Sequence, residues 1–113
     1  MDAIILNRED LQQGDGTQEL QGYTVDANVC VILVDMQPGE GVRLHSHPYE
    51  EVFVVQEGQA TYTVGAQTLE VKAGQIVIVP PAVPHKFVNS GTSPLRQVDI
   101  HVSPRFQTDW LES

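Results

Sequence analysis

The sequence predicts an all-β fold, a sandwich or jelly-roll barrel of some eight to ten short strands. Two observations carry that reading. Nine glycines and seven prolines are many for 113 residues, and they fall between short apolar runs rather than inside one helical period. Those runs are β-branched or alternate with a period of two, as in Ala60-Thr-Tyr-Thr-Val64, and many short strands joined by such turns suit a closed antiparallel architecture. The length fits one domain, residues 1–113. With 41% hydrophobic and 19% charged residues, the composition is that of an ordinary globular protein.

Taken in order, Ala3–Leu6 is a short apolar run and reads as an edge strand. Asn7 can cap a helix start, with Asp10 three residues on, but Gly14 and Gly16 end it within about two turns. Leu20–Ala27 reads as a strand before a turn at Asp26-Ala27-Asn28. Val29–Met36 is apolar at nearly every position, so both of its faces need cover. One face can meet the core, and the N-terminal segment or a second subunit must cover the other; a homodimer is the expectation. Pro38-Gly39 turns the chain. Val52–Val55 is strongly β-prone, and Gly58 opens a hairpin into Ala60–Val64, with Ala60, Tyr62 and Val64 on one face. Gly65-Ala66 makes the next tight turn. Leu69 and Val71 continue the meander, Ala73-Gly74 turns it, and Ile76–Val79 follows. Pro80, Pro81 and Pro84 break the ladder and fix the entry to His85, Phe87 and Asn89, which share a face. Asn89–Pro94 is a loop and Leu95–Val102 the closing strand. The tail is expected to pack Phe106 and Trp110 against the rest of the chain and reads as a short helix from Thr108.

The stretch from Gly39 to Gly58 carries the chemistry. Side chains two apart on an extended strand share a face, so His45 and His47 present both imidazoles to one point. Glu51, at the same parity beyond a Pro48-Tyr49 turn, can return a carboxylate oxygen, and nitrogen with oxygen donors suits a first-row transition metal. Its neighbour Glu50 faces away as a solvated residue. A second stretch, Gly74 to Asn89, delivers His85 at the head of another apolar strand.

With Gly39, His45, His47, Glu51 and Gly58 in the first motif, and Gly74, Pro80, His85 and Asn89 in the second, the chain resembles a small single-domain cupin of the jelly-roll type. The resemblance covers roughly residues 29–102. It departs at Ala82, where the family pattern usually has glycine; if that position needs a positive φ, alanine is strained there. The resemblance implies a double-stranded β-helix with a short N-terminal segment and a C-terminal tail. It also implies one divalent transition metal ion per chain (Fe, Mn, Ni, Zn or Co), held inside one end of the barrel by His45, His47, Glu51 and His85.

Three imidazoles and a carboxylate leave about two positions open on a six-coordinate ion, as catalysis or ligand binding requires. Phe53, Tyr62 and Phe87 share the inward parity with Val55 and are the candidate contacts to a small organic substrate, although barrel interiors are filled by such side chains in any case. His101 is open to two readings. An apolar-in assignment of Val98, Ile100 and Val102 leaves it outside, whereas a polar barrel mouth turns it in as an acid–base or substrate-binding group. The resemblance implies a metal-dependent enzyme of the dioxygenase, isomerase or lyase type. The alternatives are a metal-dependent binding or sensing module without turnover, and an oligomerising barrel whose metal adds stability. A 2-oxoglutarate oxygenase is disfavoured, because four protein ligands leave too few positions.

A net charge of −9 with only six scattered basic residues argues against a nucleic-acid partner, whose phosphates need Lys and Arg. No apolar run approaches the roughly 20 residues that span a bilayer, and the first residues lack the pattern of a signal peptide, so no membrane partner and a cytoplasmic location are expected. The lone Cys30 reads as a small buried hydrophobe.

Overall fold

A computed structural model describes residues 2–113 as two antiparallel sheets laid face to face. The strands are β1 (Gln12–Gly14), β2 (Thr17–Leu20), β3 (Cys30–Met36), β4 (Gly41–Ser46), β5 (Glu51–Glu57), β6 (Gln59–Val64), β7 (Gln67–Lys72), β8 (Ile76–Val79), β9 (His85–Val88), β10 (Leu95–His101) and β11 (Asp109–Trp110). One sheet runs β1-β2-β3-β10-β5-β8 and the other β11-β4-β9-β6-β7. The chain crosses between them repeatedly, so the motif strands β4 and β9 lie in one sheet and β5 in the other. No helix of the described residues is long and apolar enough to cross a membrane.

The core follows from strand parity. Val34 and Met36 on β3, Phe53 and Val55 on β5, Ala60, Tyr62 and Val64 on β6, and Phe87 on β9 point into the space between the sheets. The rings of Phe53, Tyr62 and Phe87 pack edge-on and stacked with centroids 5.1 to 6.0 Å apart, within the range where aromatic pairs attract. Asn89 is buried at the rim, donating to the Met36 and Ser93 carbonyls at 3.0 and 2.9 Å, and so braces the loop it opens.

Five local expectations are corrected. Ala3–Leu6 forms no strand, and Ile5 is 90% exposed. The Asn7 region makes only the single 3₁₀ turn Arg8–Asp10, with no side-chain cap bond. In place of a strand from Leu20 to Ala27, a hairpin of β1 and β2 turns at Asp15-Gly16, with Gly16 at φ 70°, and a 3₁₀ turn follows over Gly22–Val25. Gly58 does not open a hairpin. β5 and β6 lie in different sheets, and Gly58, at φ 82°, is the corner between them, where a Cβ would come within 2.5 Å of the Pro94 carbonyl. The meander is likewise split: β7 pairs with β6, while β8 pairs with β5 across the sandwich.

The outward face of the larger sheet is apolar. Cross-strand register sets Val54, Val98 and Leu33 in one row beside Ile76, and Val52, Ile100 and Val31 in a second beside Ile78. Ile76 and Ile78 are each 61% exposed. A polar edge follows, where Arg96 sits 3.3 Å from Asp35 and 3.8 Å from Glu57. This face explains the two-sided apolar character of Val29–Met36.

Candidate metal centre

His45, His47, Glu51 and His85 are all buried, and their ligand atoms lie within 4.8 Å of one another. Each comes from a different piece of local geometry. His45 sits near the end of β4 after a register shift against β9 between Val42 and His45. The extra residue of a bulge keeps Val42 and His45, three apart, on the inner face. His47 follows at the end of the strand with the same facing, Glu51 opens β5, and His85 opens β9 directly opposite His45. Ala82 adopts φ 67° and donates its N–H to the His47 carbonyl at 2.7 Å. Its left-handed backbone therefore ties the loop before His85 to the loop carrying His47.

The hydrogen bonds set the tautomers. Nδ1 of His45 lies 2.6 Å from the Arg43 carbonyl, Nδ1 of His47 3.0 Å from the Gln107 carbonyl, and Nδ1 of His85 2.9 Å from the Val83 carbonyl. A carbonyl can only accept, so all three Nδ1 atoms carry hydrogen and all three Nε2 atoms turn a lone pair inward, the outer-shell arrangement that orients metal-binding imidazoles. Oε1 of Glu51 stands 3.0 Å from His47 Nε2 and 3.2 Å from His85 Nε2. His47 Nε2 nevertheless has no hydrogen-bonding partner of acceptable geometry. A fully buried nitrogen lone pair without a donor, beside a carboxylate and two more imidazole nitrogens, fits a cation that would satisfy all four at once.

Electrostatics point the same way. Burial pushes the His45 imidazole down to about 4, keeping it in the neutral form that can ligate. Burial alone would raise the Glu51 carboxyl, but the His101 hydrogen bond and the imidazoles of His47 and His85 beside it outweigh burial and hold the group well below the usual carboxylate range.

His101 faces inward. It is 4% exposed, its Nε2 is 3.1 Å from Glu51 Oε2, and its Nδ1 is 2.6 Å from the Tyr49 hydroxyl. The Tyr49 oxygen also accepts the Gln107 N–H at 3.4 Å. With His101 neutral, a single direction of donation results: Gln107 N–H to Tyr49, Tyr49 O–H to His101 Nδ1, His101 Nε2–H to Glu51. His101 thus takes the tautomer opposite to the other three histidines and gives a hydrogen bond where they offer lone pairs. The polar side of β10 turns in because the opposite side, Val98 and Ile100, belongs to the apolar outer face.

A cavity of about 400 Å³ opens beside the cluster. His45, His47, Glu51 and His101 form one wall, and Phe53 and Phe87 line it. Tyr62 is not among the lining residues; it is fully buried and donates its hydroxyl to Gln97 Oε1 at 2.7 Å. Val55 stays in the core.

Sequence reasoning does not reach several residues of this centre. Tyr49 shares the odd-numbered parity of His45, His47 and Glu51, a signal that could have marked it. Asp99 lines the cavity beside His101 and is buried. The tail, expected as a helix from Thr108, instead forms β11, pairing Asp109 with Ser46 and Trp110 with His45. It brings the Gln107 carbonyl and Thr108 Oγ1 to His47 Nδ1, at 3.0 and 3.3 Å, and sets the Trp110 ring 5.1 Å from that of His45.

The same fold recurs among proteins of known structure. The manganese(II)-containing oxalate decarboxylase of Bacillus subtilis superposes with a TM-score of 0.77 at 27% identity, over 88% of this chain and 29% of that one. In sequence the chain is 38% identical over 73 residues to the polyketide synthase CurC of Streptomyces cyaneus, covering 64% of this chain and 47% of that protein. It is 27% identical over 109 residues to the HTH-type transcriptional regulator PuuR of Escherichia coli, covering 91% of this chain and 58% of that one. The chain thus spans about half the length of the sequence relatives it matches. The Cupin domain family matches residues 32–101, the stretch that holds His45, His47, Glu51 and His85, and on that match the chain belongs to the cupin family.

Proposed function

We propose that the chain is a metal-dependent enzyme acting on a small oxygen-bearing organic molecule, with a divalent transition metal held by His45, His47, Glu51 and His85. The observation that carries the reading is the orphaned His47 Nε2 within a cluster of three lone pairs and one carboxylate, set in the wall of a cavity large enough for a small ligand. Such an ion supplies Lewis acidity, and a redox-active one also supplies dioxygen chemistry. The chain's own residues do the rest. Backbone carbonyls orient the imidazoles, Glu51 Oε2 is anchored by His101, and Phe53 and Phe87 exclude water. His101 holds a proton at Nε2 where it can be moved to or from a bound molecule, and the Tyr49 hydroxyl at Nδ1 can replace it. The manganese(II) centres of the oxalate decarboxylase support a divalent ion on this fold; they do not select the ion here.

The test loads the metal-free chain separately with Fe(II), Mn(II), Ni(II) and Zn(II) and follows oxygen uptake and product formation over a panel of small oxygenated compounds. Turnover with one ion, lowered by His101→Ala at unchanged metal content, is the expected result. A second reading, a binding or sensing module without turnover, is favoured by the match to the transcriptional regulator over 91% of this chain. It prevails if no ion gives turnover while compounds from the panel raise the Tm.

A further inference from the structure

The residues around the candidate metal centre are nearly sealed from solvent. His45, His47, Glu51, His85 and His101 are each 5% exposed or less, so an ion or a small molecule reaches them where the cavity wall can move. One side of that wall is Phe106, Thr108 and Trp110, alternate residues of the tail, and Thr17 and Glu19 on β2 also line the cavity. The tail crosses between the two sheets here. Its start is docked beyond the end of β2: the Pro104 carbonyl accepts the Tyr23 N–H at 2.9 Å, the Gln21 side chain accepts the Phe106 N–H at 3.0 Å, and Arg105 lies 3.9 Å over the Tyr23 ring. Its far part lies along β4, in the smaller sheet.

That far part is the least firmly held piece of the wall. From Pro104 on, every described residue is exposed or half-buried, so little apolar surface resists its lifting. β2 is paired on both sides, with β1 and β3, whereas β11 is paired on one side over two residues. Beyond that short ladder the fastenings are polar and face solvent. The Leu111 N–H donates to the Leu44 carbonyl at 2.9 Å, and the Leu44 N–H donates to Glu112 Oε1 at 2.9 Å. Lys86 Nζ stands 3.1 Å from Glu112 Oε2, and the Arg43 guanidinium lies 4.6 Å over the Trp110 ring and donates to the Glu112 carbonyl at 3.3 Å. Underneath, the same segment touches two of the four candidate ligands. The Gln107 carbonyl accepts from His47 Nδ1 at 3.0 Å, and the Trp110 ring lies 5.1 Å from that of His45.

We propose that residues 107–112 form a hinged strap, latched by Glu112 onto Leu44 and Lys86 and turning about the docked residues 104–106, and that its lifting admits ions and small molecules to the cavity. The barrel stays folded as the strap lifts, because β10, which carries His101, is paired with β3 and β5 on both sides along its length. The inference rests on the reading above only in that something enters this cavity. Its test needs neither metal nor substrate, so either can fail alone.

Diethyl pyrocarbonate, a small reagent that acylates neutral imidazole, serves as the entry probe, because all four histidines of the chain are buried around this centre. Histidine acylation of the metal-free full chain is followed by mass spectrometry. Amide hydrogen exchange is followed in parallel, with the Leu111 N–H reporting the strap and the β10 amides reporting the barrel. In wild type, Leu111 should exchange faster than β10. Glu112→Ala should raise Leu111 exchange and histidine acylation by the same factor, about fivefold, with β10 unchanged. Leu111→Pro, which deletes a strap hydrogen bond and is read at the Leu44 N–H, should raise both likewise, and decides the matter if the first variant misfolds. Acylation that stays constant while strap exchange rises, or that follows β10 instead, overturns the inference: entry would then lie elsewhere or need global unfolding. Strap exchange that neither variant accelerates overturns it as well. Metal content, measured on separate samples, decides the metal reading independently.

Discussion

Replacing His47 by alanine tests the metal centre most directly, because its Nε2 is the buried atom that lacks a partner. For 113 residues, an unfolding entropy of about 2.1 cal/mol/K per residue sums to roughly 240 cal/mol/K, so 1 kcal/mol moves the Tm by about 4 °C. Free metal at about 100 times its Kd stabilises the folded chain by about 2.7 kcal/mol, a rise of about 11 °C. Loss of one of four ligands should weaken binding at least as much as loss of an outer-shell partner, which costs about 10- to 100-fold. At a 100-fold loss the same metal concentration only equals Kd, leaving about 0.4 kcal/mol and a shift of about 2 °C. Thermal unfolding of wild type and His47→Ala with and without Mn(II), Fe(II), Co(II), Ni(II) and Zn(II), alongside elemental analysis, reads both numbers. Equal shifts in the two proteins, or no shift with any ion in wild type, would refute the ligand assignment.

Two further outcomes are expected. Ala82→Gly removes left-handed strain of roughly 1–2 kcal/mol against an unfolded-state cost of about 0.4–1 kcal/mol; a net Tm gain of a few degrees at unchanged metal content is the result, and a lower Tm would show that the turn is not strained. The outer face of Val52, Val54, Val98 and Ile100, flanked by exposed Ile76 and Ile78, should pair with a second copy of the chain, so light scattering should give twice the 12.5 kDa mass and Val54→Glu should give the monomer; a monomeric wild type at micromolar concentration would contradict this.

A pH dependence can be read from His45. Burial holds its folded pKa at about 4, below the ordinary 6.5. As pH falls from 6.5 toward 4 the unfolded chain gains a proton that the folded chain does not, so folded stability is lost across that window. Glu51, also held low, acts in the same sense, and Asp99, held high, in the opposite one. The difference between proteins isolates His45: the Tm of metal-free His45→Gln should fall less than that of wild type between pH 6.5 and 4. A larger fall in the variant would show that His45 is not the group responsible.

The sequence by itself determined the sandwich class and all four residues of the cluster. Strand parity is a local, obligatory consequence of backbone geometry, so His45 with His47, and His85 with Phe87, had to share faces whatever surrounded them. The prolines before His85 restrict φ, and Gly65 permits the positive φ its tight turn needs, so both turns are equally legible. Parity separates two faces without saying which is inside, and only the tertiary structure decided that for β10. Its apolar side lies on the outer surface, so Gln97, Asp99 and His101 line or back the cavity. Tertiary structure alone also placed the tail. The hydrogen bonds from His47 Nδ1 to Gln107, from Tyr49 to His101 and from Tyr62 to Gln97 join residues 60, 52 and 35 positions apart. No local period encodes such pairings; they exist because the two sheets and β11 bring distant strands into register around one buried point.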